Sequence, residues 1–484
     1  MSDDKKSVQY EVVDDGYFEK RGLRRHARVW SLWALGVGAV ISGDFFGWNF
    51  GLAQGGFGGL LVATAVITVM YGGLCFSIAE MSPALPHTGG AYSFARTAMG
   101  PWGAYLTGLA ENMEYVLTPA VIVVAIGSYL GAIFETPAWA EPVWWAVAYS
   151  AFVGLNVYGV EVSFRFTVLI TFAALATLGV FYVGAIGHFD LSRALDIEGA
   201  SRWFPHGVTG VFGALPFAIW FYLAIEELPL AAEEAHDPVR DMPKGILYGL
   251  LTLVATAFLT LVLNTAMAPG AEALSTSEEP LFDGFRTIFG DGIGAKALAL
   301  VAVTGLVASF HSIIFAYGRQ IYSLSRAGYF PRVLSVTGAK AKTPHVALIA
   351  GAVLGYGAAL VIHFTGGQQT SVGAVLINMA VFGAVISYVF QMASYVLLRV
   401  RFPKLERPYR SPFGVAGAVV AMVIALVTLV ALFVVDPIYR LVVIGAAVWY
   451  AAGLVYFAVY ARHRLVYSPE EEFAARYEAE HGGG

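Results

Sequence analysis

Twelve apolar windows, each close to the length that crosses a bilayer, follow one another along this chain. They fall at about 31–54, 59–82, 100–133, 143–158, 163–187, 207–232, 243–267, 295–322, 345–363, 370–398, 413–434 and 438–461. A spanning helix needs about 20 predominantly apolar residues. Only 13% of the residues are charged, against about 25% in soluble domains. The pattern predicts an all-α polytopic membrane protein with 12 transmembrane helices embedded in the lipid bilayer. The chain is polar through Lys20 with no early apolar core, so no cleaved signal peptide is expected.

An even number of spans puts both ends of the chain on one side, and the basic residues choose the side. With the N-terminus inside, 24 of the 29 lysines and arginines fall in cytoplasmic segments. Only Arg193, Arg202, Arg286, Lys296 and Arg440 fall outside. The positive-inside rule then predicts a multi-pass protein of the plasma (inner) membrane with both termini cytoplasmic. Residues 1–30 form one cytoplasmic tail and 462–484 the other, with a short helix expected from Ser468 to Glu480.

Two spans depart from an ordinary membrane helix. The first contains Gly36-Val-Gly-Ala-Val-Ile-Ser-Gly-Asp44-Phe-Phe-Gly47, with a break expected at Ser42-Gly43-Asp44. The sixth contains Gly213-Ala-Leu-Pro216 and then Trp220-Phe-Tyr-Leu-Ala-Ile-Glu226. Interrupted helices at corresponding places in two halves point to a carrier built from an inverted repeat. The spacing predicts one repeat over 31–187 (spans 1–5), a second over 207–398 (spans 6–10), and two extra spans over 413–461.

Asp44 is the sharpest functional signal. A charged side chain at membrane depth costs about 2.5–3.5 kcal/mol on insertion scales, so it needs a partner or a purpose. Beside unwound backbone it suits a carrier of small cations; the alternative is a carboxylate neutralised by a proton or by an arginine of another span. In the third span, Glu111 and Glu114 stand three residues apart in Glu111-Asn112-Met-Glu114-Tyr115, on neighbouring positions of one face. Counting about 1.5 Å per residue from Gly100, they lie roughly 16–21 Å into the span. Two adjacent carboxylates do not both ionise cheaply, so one of them is suited to carry a proton or to pair with a substrate ammonium. A hydrogen-bonded structural cluster with Asn112 and Tyr115 is the plain reading.

Phe45, Phe46 and Trp48 flank the first break, and Trp220, Phe221 and Tyr222 the second. Such rings can stack on a cation or simply pack. His311 in the eighth span is a further titratable group, suited either to relay a proton, to bond to Glu111 or Glu114, or to sit as a satisfied structural histidine. Ser309 and Ser312 beside it tie helices together or offer hydroxyls to a cation. The single cysteine, Cys75, excludes an internal disulfide and a cysteine-based metal cluster. No HExxH, GxSxG or Walker-type run occurs. No enzyme activity, cofactor, metal or nucleic-acid partner is expected, and the clustering of polar groups at mid-depth argues for a carrier over a channel.

Three segments carry a resemblance. Ala79-Glu80-Met-Ser-Pro-Ala-Leu-Pro86-His-Thr-Gly89-Gly90-Ala-Tyr92-Ser-Phe-Ala-Arg96 ends the second span, and Glu226 with Glu233-Glu234-Ala-His-Asp237-Pro238-Val-Arg240 leaves the sixth. Ser323-Leu-Ser-Arg326-Ala-Gly328-Tyr-Phe-Pro331 follows the eighth. In this order they resemble the amino acid–polyamine–organocation superfamily of permeases. The resemblance implies the leucine-transporter-type five-plus-five inverted repeat, with substrate held between broken helices 1 and 6. It also implies alternating access, with a proton or an exchanged solute as the coupled species. Members that carry amino acids have Gly-Ser-Gly at the first break, whose N–H groups receive the substrate carboxylate. Here that run reads Ser42-Gly43-Asp44, which would repel a carboxylate and attract an ammonium group. Ala224 stands where the superfamily usually has glycine, and the fifth span lacks the lysine that some proton-coupled relatives keep. Asp44 with the Glu-Asn-Met-Glu-Tyr-Val-Leu-Thr-Pro run is similar to the ethanolamine permease branch. On this resemblance the substrate is a small cationic amine bound by Ser42, Gly43, Asp44, Phe45, Glu111, Glu114, Tyr115, Trp220, Tyr222 and Glu226. Glu111, Glu114 and His311 are the candidates for proton coupling. Cationic amino acids, polyamines and choline satisfy the same charge logic.

Overall fold

The computed structural model describes residues 8–14, 16–85, 89–197, 200–290, 293–365, 371–434 and 438–481. Lys5 and Lys6 of the N-terminal tail and Pro86, His87 and Thr88 of the first motif lie outside them. The chain is helical almost throughout. Its main helices are α1 (Val29–Val40), α2 (Ser42–Phe45), α3 (Phe50–Ala84), α4 (Ala91–Phe134), α5 (Glu141–Tyr158), α6 (Val160–Ile186) and α7 (Gly207–Ala218). There follow α8 (Pro238–Thr265), α9 (Ala271–Leu274), α10 (Pro280–Phe289), α11 (Ile293–Arg326), α12 (His345–Phe364), α13 (Ser371–Arg401), α14 (Gly414–Val434), α15 (Ile438–Val459) and α16 (Pro469–His481).

Among the described residues nine helical stretches are long and apolar enough to cross a membrane, and Val29–Phe45 forms a shorter apolar one. Their outward faces carry Leu251, Val353, Leu354, Val430 and Ile444. Their inward faces bury Asp44, Glu111, Glu114 and Glu226, and α11 beside them buries His311. That inside-out distribution suits a hydrocarbon solvent, in which polar groups must find partners inside the protein.

Two glycines bend the long helices where the apolar windows change. Gly56 in α3 has φ 65° and ψ −176°, and a Cβ there would meet the Pro205 ring at 2.5 Å. The bend separates the end of the first window from the second. Gly100, at φ 77° ahead of Pro101, likewise divides Ala91–Met99 from the third window within α4. α8 begins at Pro238, five residues before the apolar window. There Asp237 accepts the Arg240 N–H and Pro238 occupies the first turn, a start that fits proline's fixed φ.

The three motif segments meet in one polar layer at the end of the bundle that holds both chain termini. Glu80 pairs with Arg399 at 2.6 Å and with Arg407 at 3.0 Å. Glu234 pairs with Arg319 at 2.9 Å, and Glu233 with Arg326. The strands Tyr10–Glu11 and Leu465–Val466 pair in parallel, so the two tails are joined to each other. The predicted C-terminal helix is present as α16, beginning one residue later at Pro469.

Candidate functional site

The first break is made by a hydroxyl inserted into the helix. In an unbroken helix the Ser42 N–H would bond to the Gly38 carbonyl. Instead Ser309 Oγ from α11 donates to the Gly38 carbonyl at 2.8 Å and accepts the Ser42 N–H at 2.9 Å. An inserted side chain is a recognised cause of a helix break. α2 is then a single turn containing Ser42, Gly43, Asp44 and Phe45. The chain becomes extended at Phe46 (φ −163°, ψ 170°), and Gly47 takes φ 94°. The unwound residues thus lie a few positions beyond the Ser42-Gly43-Asp44 run expected to carry them, because that run keeps one turn of helix between Ser309 and Gly47.

The second break faces the first. α7 gives way to a 3₁₀ turn, Ile219–Phe221, and a second 3₁₀ stretch runs over Ile225–Glu234. Between them Ala224 takes φ 84°, a left-handed conformation that costs a non-glycine residue about 1–2 kcal/mol. The helix breaks here with alanine at the left-handed position. A Cβ on Gly43 would lie 1.8 Å from the Trp220 carbonyl oxygen, so only glycine lets the two broken helices approach this closely. Phe46 and Trp220 rings lie 5.6 Å apart, and Trp48 stacks on Phe221 at 5.6 Å.

Asp44 is buried, at 2% exposure. Thr260 Oγ1 of α8 donates to its Oδ1 at 3.0 Å, and Tyr182 of α6 bonds to Thr260 Oγ1 at 2.8 Å. Thr256 also lies against the carboxylate. Among the described residues no lysine, arginine or histidine reaches it, so the arginine partner considered for it is not present. A buried carboxylate held only by neutral hydroxyls is uncompensated in charge. Thr256, Thr260 and Tyr182 were absent from the sequence-based site. The signal available was the i, i+4 spacing of Thr256, Thr260 and Asn264 in an otherwise apolar span.

The expected single constellation divides into two clusters. Around Asp44 stand Ser42, Gly43, Phe45, Trp220 and Tyr222. Tyr222 borders Asp44 on one side and on the other lies 5.1 Å from the ring of Tyr71, whose hydroxyl bonds to Tyr388 at 2.8 Å. Beyond this tyrosine layer lie Glu111, Glu114, Tyr115 and Glu226, with Glu227 beside them, all buried. Glu111 and Glu114 do not form the expected pair. Glu111 accepts Gln320 Nε2 at 2.6 Å and the Ala91 N–H at 3.3 Å, whereas Glu114 faces Glu226. The i, i+3 spacing leaves them neighbours on one helix, but different helices cover them.

His311 belongs to neither cluster. Its Nδ1 lies 3.2 Å from Asn156 Nδ2 and its Nε2 3.0 Å from Ser163 Oγ, with Phe152 and Phe166 against the ring. Of the alternatives left open for it, a bond to Glu111 or Glu114 does not form, and Asn156 and Ser163 take both ring nitrogens as for a satisfied structural histidine. Of the two serines beside it, Ser309 forms the helix break and the Ser312 hydroxyl has no hydrogen-bond partner among the described residues.

A loop bearing α9 and α10 covers the unwound end of the first break. Asn49 Nδ2 donates to the carbonyls of Leu274 at 2.6 Å and Ser277 at 2.8 Å, while its Oδ1 accepts the Gly47 N–H at 3.0 Å. In the same loop Glu279 accepts Ser128 Oγ at 3.2 Å, and burial pushes its carboxyl up to about 7.

Comparison with known proteins agrees with a transporter. An uncharacterized transporter of Rhizobium meliloti (strain 1021) is 27% identical, over 83% of this chain and 85% of its own length. The methylthioribose transporter of Bacillus subtilis (strain 168) is 24% identical, over 93% and 96%. Cationic amino acid transporter 7, chloroplastic, of Arabidopsis thaliana is 26% identical, over 78% and 66%. Residues 32–471 match the family described as Amino acid permease. A match over nine-tenths of the chain, on a helical bundle with two broken helices in contact, makes this chain a member of the amino acid permease family of membrane transporters.

Proposed function

We propose that this permease is a secondary active transporter that imports a small organic cation, ethanolamine, by alternating access. The observation that carries the reading is Asp44, a buried carboxylate at the contact of the two broken helices with only hydroxyl partners. An ammonium group supplies the missing charge, and the substrate's own hydroxyl can join the Thr260–Tyr182 set. A zwitterionic amino acid would bring its carboxylate against Asp44, at a cost that rises steeply in a site closed to water. Twelve spans in a five-plus-five inverted repeat, with both termini cytoplasmic in the plasma membrane, are the architecture proposed with it. A proton or an exchanged solute is the coupled species.

The second reading is a cationic amino acid, polyamine or choline permease. It draws on the Arabidopsis relative's name and on the further carboxylates beyond the tyrosine layer, which suit a second positive charge. A thermal-shift panel of ethanolamine, choline, putrescine, arginine and serine separates these readings, since a ligand stabilises the state it binds by mass action. Ethanolamine should stabilise and serine should not. Preferential stabilisation or uptake of serine would overturn the reading, and arginine or putrescine alone would favour the second.

A further inference from the structure

The buried acids beyond the tyrosine layer are left incomplete by everything assigned so far. Among the described residues no oxygen of Glu114 or Glu227 has a completed hydrogen bond, and those of Glu226 are met only by looser approaches of the Tyr388 hydroxyl and of backbone N–H groups at the second break. The Tyr115 hydroxyl, fully buried and likewise without a partner, faces the same acids. Unpaired buried charges of one sign in contact are among the most expensive arrangements a protein interior can hold. Glu111 is different, because Gln320 and the Ala91 N–H complete it.

We propose that Glu114 and Glu226 together hold a single proton and that the closed carrier requires it. The two carboxyls lie within hydrogen-bonding reach of each other. That bond exists only when one of them is protonated, since two carboxylates have acceptors and no donor. The arrangement resembles two acids sharing one proton because both cannot ionise at such separation. The groups that face the pair are known from every side. Glu111 and Tyr115 share the α4 helix with Glu114, and Glu227 follows Glu226. Tyr71 and Cys75 come from α3, and Tyr388 from α13. None carries a positive charge, so the neutralising charge must come from outside the set. Among the described residues no three His, Cys, Asp or Glu side chains are arranged to hold a metal ion, whereas a proton needs only the two oxygens. It is exchanged with bulk solution, and only an O–H bond is made or broken.

The pair also has a route to the substrate position. Tyr388 touches Glu226 and bonds to Tyr71, whose ring lies tilted against Tyr222 beside Asp44. Loss of the shared proton places two facing carboxylates under the second break, and their repulsion opposes the approach of the Ile225–Glu234 segment to α4.

The proposal rests on the organic-cation reading for its flux assay, but its spectroscopic arm does not. Counterflow of labelled ethanolamine in proteoliposomes of the full chain should fall at alkaline pH in wild type. Whatever rate of counterflow Glu114→Gln retains, that fall should be absent from it, because the amide donates to Glu226 as the protonated acid does. Infrared difference spectra of wild type between neutral and alkaline pH should show loss of a protonated-carboxyl C=O band, absent from Glu114→Gln and from Glu226→Gln. A wild type without that band, or the same band in both variants, would overturn the shared proton. Loss of ethanolamine binding in both variants would overturn it too, making the pair a substrate ligand. If wild type bound no ethanolamine while the band behaved as expected, the substrate reading would fail and the proton pair would stand.

Discussion

Asp44 is set apart by what surrounds it. Thr260, Thr256 and Tyr182 supply dipoles and no charge, so the residue keeps an unanswered demand for a cation. Asp44→Asn preserves shape and hydrogen bonding while removing that demand. Removing one member of a desolvated charge pair costs about 2–5 kcal/mol, and about 1.4 kcal/mol is tenfold. On the proposed organic-cation reading, ethanolamine binding should therefore weaken by at least about 30-fold in calorimetry, with the melting temperature little changed. Near wild-type affinity would show Asp44 to be structural. Gly43 is under a different constraint, steric instead of electrostatic. Gly43→Ala forces a methyl group onto the Trp220 carbonyl, and overpacking costs about 1–3 kcal/mol. Its melting temperature should drop, whereas Gly72→Ala, with open space around it, should match wild type or exceed it.

Among the elements, the loop carrying α9 and α10 ties the first break through Asn49 and carries a titrating acid of its own. Burial raises the Glu279 carboxyl to about 7. Its contribution to the packed loop is therefore complete below its unfolded value near 4.5, and is lost as pH rises through about 7. Hydrogen exchange over 271–289, corrected for intrinsic rates, should be faster at pH 8 than at pH 5.5. Glu279→Gln should erase that difference, and an unchanged difference would assign the pH response to another group. The sixth-span break makes a related point about backbone. Sequence reasoning located it from Pro216 and the departure at Ala224, yet the left-handed Ala224 shows that neighbouring helices hold a conformation its own side chain resists.

Across the whole molecule, the tails close the bundle at one end. Arg96 of α4 is buried and bonds to Glu471 and to the Val466 carbonyl, each at 2.9 Å. Tyr10 and Ser468 also donate to Glu471. Breaking a buried pair from one side costs about 3–5 kcal/mol, more than replacing both members by apolar residues. Glu471→Ala should lower the melting temperature clearly, and the double change Arg96→Leu with Glu471→Leu should recover much of it. Equal losses in both would show that the pair contributes net stability.

The window boundaries, the two interrupted helices and the C-terminal helix were legible in the sequence because each follows from local chemistry. Apolar length, glycine and proline placement and helix capping act within a few residues. Asp44 was legible as an unusual buried group too, because a charge in an apolar run stands out whatever covers it. The partners of buried polar groups were not. Glu111 and Glu114 have the same spacing on one helix in any fold, and only packing decides that Gln320 covers one while Glu226 confronts the other. His311 was equally open until Asn156 and Ser163 closed on it, and Ser309 was one serine among several until it entered the ladder of another helix. Sequence by itself determined which residues carry charge within the bundle and where helices are weak. Tertiary structure alone decided which of those charges are answered, because a hydrogen bond between distant segments depends on an approach of a few ångströms that no local pattern encodes.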